Sequence, residues 1–239
     1  MKKISYLSVK NATDTSADIY FYGDIVGSEW DKWEDTDTCP TDVLNILDQV
    51  KGAKNLNIYV NSGGGSVFAG LAIYNMLKRH SAHKTVHVDG LAASIASIIA
   101  LAGDEVIIPS NAFMMIHKPW VMSVGNADDL RKAADDLDRI EQGIMNIYAD
   151  NLREGVDIAE IQTMVNAETW LTGEEASQYF NVKVVEEVQA AAYLGDSVKN
   201  YRNTPEQIKQ QPQEPALEPQ DNAAFEIEHM KMELELLSL

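Results

Sequence analysis

A serine and a histidine are the side chains of this sequence best suited to nucleophilic chemistry. Ser94 lies in the segment 89–97, DGLAASIAS, whose small residues leave room for a substrate carbonyl group. His117 directly follows the apolar segment 113–116, FMMI. An imidazole is the usual base for activating a hydroxyl group, so the pair could perform acyl transfer if the fold brings the two together. Taken singly, Ser94 also fits a tightly packed helix and His117 a purely structural position.

A glycine-rich turn at residues 61–66, NSGGGS, is the third candidate. Consecutive glycines accept positive φ and let backbone N–H groups approach a ligand, and a helix N-terminus behind them favours negative charge. A phosphate loop is excluded because Leu71 and Ala72 follow Gly70, and Phe68 breaks the dinucleotide pattern. The turn therefore presents N–H groups to an oxyanion or a peptide backbone, or is only structural.

An acid, Glu168, precedes a short apolar step and a predicted helix. Thr172 and Glu175 have the spacing of a capping box at the start of that helix, which gives Glu175 a structural role. Glu168 is then left without a structural assignment and becomes the candidate acid.

Three histidines, His80, His83 and His87, offer a rival interpretation as a metal site. His80 falls in the last turn of a predicted helix and His87 on the next predicted strand, so their side chains need not converge. We therefore expect neither a metal ion nor an organic cofactor.

Composition narrows the class of protein and its partners. The chain has 239 residues, of which 45% are hydrophobic and 23% charged, as in ordinary globular proteins. Its formal net charge of −18 disfavours nucleic acid and anionic membranes as partners. Cys39 is the single cysteine, the start of the chain is a poor signal peptide, and the longest apolar run, 91–103, is too short to span a bilayer. These features predict a cytoplasmic protein.

Strand and helix patterns alternate over residues 1–195 and predict an α/β fold with buried parallel strands. The predicted strands are 16–25, 56–60, 85–88, 105–108, 113–116 and 182–188. The predicted helices are 39–50, 66–79, 92–101, 126–153, 157–165 and 173–179. This order places the glycine-rich turn and Ser94 each between a strand and a helix.

The last part of the chain differs in composition from this body. Residues 196–220 are rich in proline and glutamine and predict a flexible linker. Residues 221–239 mix apolar and acidic side chains, which fits either an amphipathic helix that docks on a partner or a frayed tail.

Residues 16–190 resemble the proteolytic subunit of the Clp protease, a serine peptidase. The family segment INSPGG corresponds to VNSGGG at 60–65, and GxAAS corresponds to GLAAS at 90–94. The family segment MIHxP corresponds to MIHKP at 115–119, and LTGEEA at 171–176 also matches. The resemblance implies a spiral of repeated strand–strand–helix units, a fold shared with crotonases.

The resemblance also implies roles for single residues. Ser94 would be the nucleophile, His117 the base and Glu168 the third member of the triad. The N–H groups of Gly65 and Ile95 would bind the oxyanion.

Gly64 would belong to the same binding segment. Two positions depart from the family, which has aspartate where this sequence has Glu168 and proline where it has Gly63.

The implied function is a serine endopeptidase, most similar to the head maturation proteases of tailed phages. Its partners would be polypeptide substrates such as capsid or scaffold proteins, within a homo-oligomeric ring in the host cytoplasm or the prohead. A housekeeping Clp subunit served by a separate ATPase, a crotonase-type acyl-CoA enzyme and a catalytically silent assembly protein remain as alternatives.

Overall fold

The computed structural model describes residues 9–10, 15–186 and 196–209. The strands in this part are β1 (Val9–Lys10), β2 (Ser16–Tyr22), β3 (Asn55–Ser62), β4 (His83–Ala93), β5 (Glu105–Pro109), β6 (Phe113–Ile116), β7 (Thr169–Thr172) and β8 (Lys183–Val185). The α-helices are α1 (Pro40–Gln49), α2 (Val67–Arg79), α3 (Ile95–Ala100), α4 (Ala127–Asp150), α5 (Ile158–Ala167), α6 (Gly173–Tyr179) and α7 (Glu206–Lys209). The predicted tail 221–239 and residues 210–220 of the predicted linker lie outside the described residues.

A parallel sheet forms the centre of the fold, in the order β1-β2-β3-β4-β5-β8. Strands β2, β3, β4, β5 and β8 run parallel, and β1 pairs antiparallel at one edge. Helices connect successive parallel strands, and the central strands are buried, as their nearly continuous apolar runs require. The predicted α/β class is therefore confirmed.

Strand β4 is long enough to pair with two different neighbours on the same side. Its first half pairs with β5, through Thr85 to His87, and its last residues pair with β6 instead. Ala93, the last residue of β4, is in register with Met115 of β6. Strand β7 then pairs antiparallel with β6 and extends this second group of strands.

Several boundaries differ from the sequence prediction for a physical reason. The helix expected from residue 92 begins at Ile95, because Ala92 and Ala93 still pair with β6. The pattern did not predict β7, which is only four residues long and has no clear alternation. The predicted capping box is present: Glu175 N–H donates to Thr172 Oγ1 at 3.2 Å.

Residues 196–209, which we call the C-terminal strap, pack on the body of the protein. The strap begins with a 3₁₀ turn, Asp196–Asn200, and ends in α7. Val198, Tyr201 and Ile208 are buried against a face of β4, β6 and β7. The sequence predicts a linker here, because three apolar residues in a polar stretch give no periodic signal. The division into peptidase domain, linker and tail remains a prediction.

Among the described residues, no helix combines the length and the apolar character needed to cross a membrane.

Candidate active site

Ser94 occupies the turn between β4 and α3 in an unusual backbone conformation. Its φ of 54° and ψ of −127° lie in a region that residues other than glycine rarely adopt. The Ser94 N–H donates to Met115 O at 2.8 Å, which fixes the turn against β6. All six residues of α3 are buried, so the helix behind Ser94 is anchored in the core.

The structure brings Ser94 and His117 together. Ser94 Oγ lies 2.7 Å from His117 Nε2, within hydrogen-bond distance. The contact follows from the sheet: the end of β4 pairs with β6, and Ser94 and His117 each follow directly after one of these strands. This is the geometry that general-base activation of a hydroxyl group requires.

Glu168 lies near His117 but is bonded elsewhere. It ends α5 in the left-handed conformation, with φ of 54° and ψ of 84°. Among the described residues, Ser94 and Glu168 are the two non-glycine residues with positive φ. Asn203 N–H of the strap donates to Glu168 Oε1 at 2.6 Å, and no hydrogen bond joins Glu168 to His117 within the described ranges.

The glycine-rich turn lies directly beside Ser94. Gly64 and Gly65 have φ of 98° and 137°, which only glycine adopts without strain. Ile25 N–H donates to Gly64 O, and Ser66 N–H donates to Ile25 O, both at 2.7 Å. A Cβ on Gly65 would lie 2.1 Å from Ile25 O, so this tight pairing requires glycine.

Two backbone donors beside Ser94 have no acceptor among the residues that the structure describes: the N–H groups of Gly65 and Ile95. The turn and the start of α3 are in close contact, since a Cβ on Gly64 would lie 2.8 Å from Ser94 Cβ and 3.3 Å from Ile95 N. Backbone donors next to a nucleophile are what an oxyanion hole needs.

Comparison with known proteins identifies the family of this chain. The model of the Clp protease family matches residues 8–188, which is well over half of the chain. The chain belongs to the Clp protease family. The expected resemblance is thereby confirmed at the level of the family.

Individual members of the Clp protease family match this chain at moderate sequence identity. An ATP-dependent Clp protease proteolytic subunit of Bacteroides fragilis is 32% identical over 139 residues, covering 57% of this chain and 66% of the relative. That of Ligilactobacillus salivarius is 34% identical, covering 57% and 69%. The aligned part thus spans a little under two thirds of the length of the Bacteroides fragilis subunit, and slightly less of the subunit from a second strain of that species. The structure of a ClpP1 mutant from Listeria monocytogenes matches with a TM-score of 0.58 and 24% identity, covering 71% of this chain and 91% of that one, and supports the fold.

Sequence reasoning missed the side chains that support the Ser94 turn. Ser97 Oγ donates to Ser94 O at 2.6 Å and lies 2.8 Å from the hydroxyl of Tyr148, on α4. Burial raises the pKa of Tyr148, so its hydroxyl stays protonated. The spacing Ser94 to Ser97 was visible in the sequence, but the partner lies 51 residues away and could not be inferred.

The histidines that were candidate metal ligands have other partners in the structure. His80 accepts Ala82 N–H at the end of α2, whereas His87 stacks on Tyr59 with ring centroids 4.9 Å apart. Within the described part of the chain, one group has three possible ligand atoms within 4.8 Å of one another: Glu29, Cys39 and Asp42. Lys32 binds both carboxylates of this group, at 3.3 and 2.7 Å, so an ammonium group already supplies the positive charge there.

We expect activity to persist to lower pH than an ordinary histidine would allow. Burial lowers the pKa of His117, and the nearby negative charge of Glu168 raises it in part, with a net lowering. The base is active when neutral, so the acid midpoint of the rate should lie below the usual value of about 6.5. The rate of peptide hydrolysis from pH 4 to 9 measures this midpoint. A midpoint above 6.5, or a rate independent of pH, would remove His117 from the role of base.

Proposed function

We propose that this chain is a serine endopeptidase that hydrolyses peptide bonds through an acyl-enzyme. The observation that carries the proposal is the 2.7 Å contact between Ser94 Oγ and His117 Nε2 beside two backbone donors. In this proposal Ser94 attacks the substrate carbonyl and His117 takes its proton. The N–H groups of Gly65 and Ile95 bind the oxyanion.

Formation and breakdown of the acyl-enzyme use the same groups. Protonated His117 donates its proton to the leaving amine, which completes the acyl-enzyme, and a water molecule then enters. Neutral His117 accepts a proton from that water as it attacks the acyl carbon, and donates this proton to Ser94 Oγ as the bond between the acyl group and Ser94 breaks. Burial lowers the pKa of His117, which favours the neutral form with which each attack begins.

The surroundings of Ser94 support a preference for apolar substrate residues. A small cavity beside Ser94 and His117 is lined by mostly apolar side chains: Val67, Ile95, Ile98, Pro119, Ile144 and Tyr148. It adjoins a wider cleft of about 190 Å³ that Gly65, Val67 and Trp120 help to form. We propose that the side chain before the cleaved bond is apolar, since a charged group would lose its hydration without gaining a partner.

Digestion of an unfolded protein such as casein tests the activity and this preference together. Mass spectrometry of the fragments should show new ends that follow small or medium-sized apolar residues. Cleavage mainly after charged residues would contradict the assignment of the pocket. Complete absence of fragments with correctly assembled protein would favour a catalytically silent assembly protein.

Glu168→Gln should lower the hydrolysis rate by about 100-fold, at the lower end of the range of acid–base contributions to catalysis. We propose that this carboxylate orients His117 and stabilises its protonated form, and Gln keeps the size while removing the charge. Glu174→Gln is the matched control, because Glu174 is an exposed acid on nearby α6. Equal rates for wild type and Glu168→Gln would show that another group orients His117.

We further propose that the working enzyme is a homo-oligomeric ring. Trp30 and Trp33 are more than nine-tenths exposed, and Phe68 is 70% exposed, as apolar residues that an interface between copies would cover. Met122 is exposed as well, and Trp120 is exposed at the cleft. Light scattering should give a multiple of 26.5 kDa, whereas a monomer in active samples would contradict the ring.

For the biological role, we propose processing of capsid or scaffold proteins during phage head maturation. The motif variants and the Pro/Gln-rich extension support this proposal. The names of the relatives favour a second role, as a Clp subunit that works with a separate ATPase. Cleavage of folded substrates only when a Clp ATPase and ATP are added would select the second role.

A further inference from the structure

The C-terminal strap (residues 196–209) lies directly over the candidate active site. Tyr201 is buried, and its ring meets the His117 ring edge-on with centroids 5.0 Å apart. Its hydroxyl group donates to Gly63 O at 2.5 Å, in the glycine-rich turn. Ser197, Asn200 and Tyr201 form one wall of the cleft that Ser94 and His117 line on the other side.

A second contact of the strap engages the candidate acid. Asn203 N–H donates to Glu168 Oε1 at 2.6 Å. The Asn203 side chain donates to the backbone carbonyls of Ala167 and Glu168, at 2.9 and 3.0 Å. Three hydrogen bonds from one strap residue thus hold the end of α5 and its carboxylate. Glu168 Oε1 therefore faces the strap, and among the described residues no hydrogen bond joins Glu168 to His117.

A third contact depends on a glycine. Ser197 N–H and Oγ donate to the two carboxylate oxygens of Asp24, at 3.0 and 2.6 Å. A Cβ on Gly63 would lie 2.2 Å from Ser197 Oγ and 2.8 Å from Val198 Cγ2. Any side chain at position 63 would therefore displace the strap.

We propose that the C-terminal strap is an intramolecular inhibitor that narrows the substrate cleft and binds the Glu168 carboxylate, which would otherwise bond to His117. The inference rests on the proposed peptidase function. An inhibitor role accounts for the partners of the polar contacts of the strap. Tyr201 bonds to the glycine-rich turn, Asn203 bonds to the candidate acid, and Ser197 bonds to Asp24, next to the residue that pairs with the turn. Val198 and Ile208 supply apolar anchoring on the adjoining face.

Two consequences follow from the docked strap. Substrate must displace the strap, so the apparent affinity for substrate equals the intrinsic affinity multiplied by the fraction of time that the groove is open. The acid must also exchange Asn203 N–H for the imidazole, so turnover falls as well. Release should therefore lower KM and raise kcat, a combination that a purely structural segment would not produce.

Full-length variants test the inference. Tyr201→Ala removes the ring over His117 and the bond to Gly63 O. Asn203→Pro removes the N–H that holds Glu168, because proline has no such donor. The matched control for the second is Asn203→Ala, which keeps the N–H but loses the side-chain bonds. Arg202→Ala, at an exposed position between the two, controls for a general change in the strap.

Three measurements are made on each variant. Hydrogen exchange of residues 196–209, followed by mass spectrometry, reports whether the strap is released. A fluorophosphonate probe reports the rate at which Ser94 is modified, and a short apolar peptide gives kcat and KM. If the groove is open one-tenth of the time in the wild type, release should raise the rate of Ser94 modification and the kcat/KM of peptide hydrolysis by about 10-fold each. Glu168→Gln should lower kcat more in the Asn203→Pro background than in the wild type.

The outcomes separate the inference from the function on which it rests. Released strap with at least several-fold faster Ser94 modification, and unchanged rates in Arg202→Ala, support the inhibitor. Released strap with wild-type rates of modification and hydrolysis overturns the inhibitor and leaves the peptidase proposal standing. Absence of Ser94 modification in every variant, with strap released and fold intact by circular dichroism, overturns the peptidase proposal itself.

Discussion

Replacing Ser94 by alanine should lower peptide hydrolysis by about 10⁴-fold or more, because the attacking oxygen is lost. His117→Ala should have an effect of similar size, since Ser94 would then lose its proton acceptor at 2.7 Å. The two side chains act as one unit, so the double variant should be no slower than either single variant. Initial rates on a short apolar peptide, at enzyme concentrations high enough to reach the residual activity, measure all three.

Ser81→Ala is the matched control for these variants, because Ser81 is exposed in the loop before β4. Its rate should equal that of the wild type. Additive losses, with the double variant far slower than Ser94→Ala, would show that the two residues do not act on the same step. Such a result would separate the hydroxyl from the imidazole in the mechanism.

Gly65→Ala should lower the rate by about 100- to 1,000-fold with a smaller effect on KM. The new Cβ would meet Ile25 O at 2.1 Å and the φ of 137° disfavours any side chain, so the turn must shift. The shift moves the Gly65 N–H from its place beside Ser94, and loss of one oxyanion donor has effects of this size. Steady-state kinetics separate kcat from KM.

Gly143→Ala is the control for a general effect of replacing glycine. It lies in α4, and a Cβ there would meet nothing within 4 Å. We expect normal kinetics and slightly greater stability, since alanine favours a helix over glycine. A wild-type kcat for Gly65→Ala would place the oxyanion donors elsewhere and would contradict the role given to the turn.

The sequence sufficed to predict those parts of the site that are built locally. A serine among small residues, a histidine at a strand end and three consecutive glycines each reflect a local backbone requirement. The strand–helix alternation then gave the α/β class, and the resemblance gave the order of the parts. The structure brings Ser94 to His117 as the combination of motifs required.

The remaining features depend on contacts between distant residues. Nothing in the pattern of residues 83–93 shows that β4 changes partner from β5 to β6, although this change places Ser94. Tyr148 supports Ser97 from across the core. The strap has too few apolar residues for a periodic signal, yet the Tyr201 hydroxyl donates to Gly63 O and the Asn203 N–H donates to Glu168.

Modification of the intact protein by a fluorophosphonate probe is the most direct test of the central claim that Ser94 is an activated nucleophile. The claim predicts one adduct per chain, located by peptide mass spectrometry on the segment that contains Ser94. It also predicts no adduct in Ser94→Ala and strongly slowed modification in His117→Ala. An adduct on another serine, or equal modification of the wild type and Ser94→Ala, would contradict it.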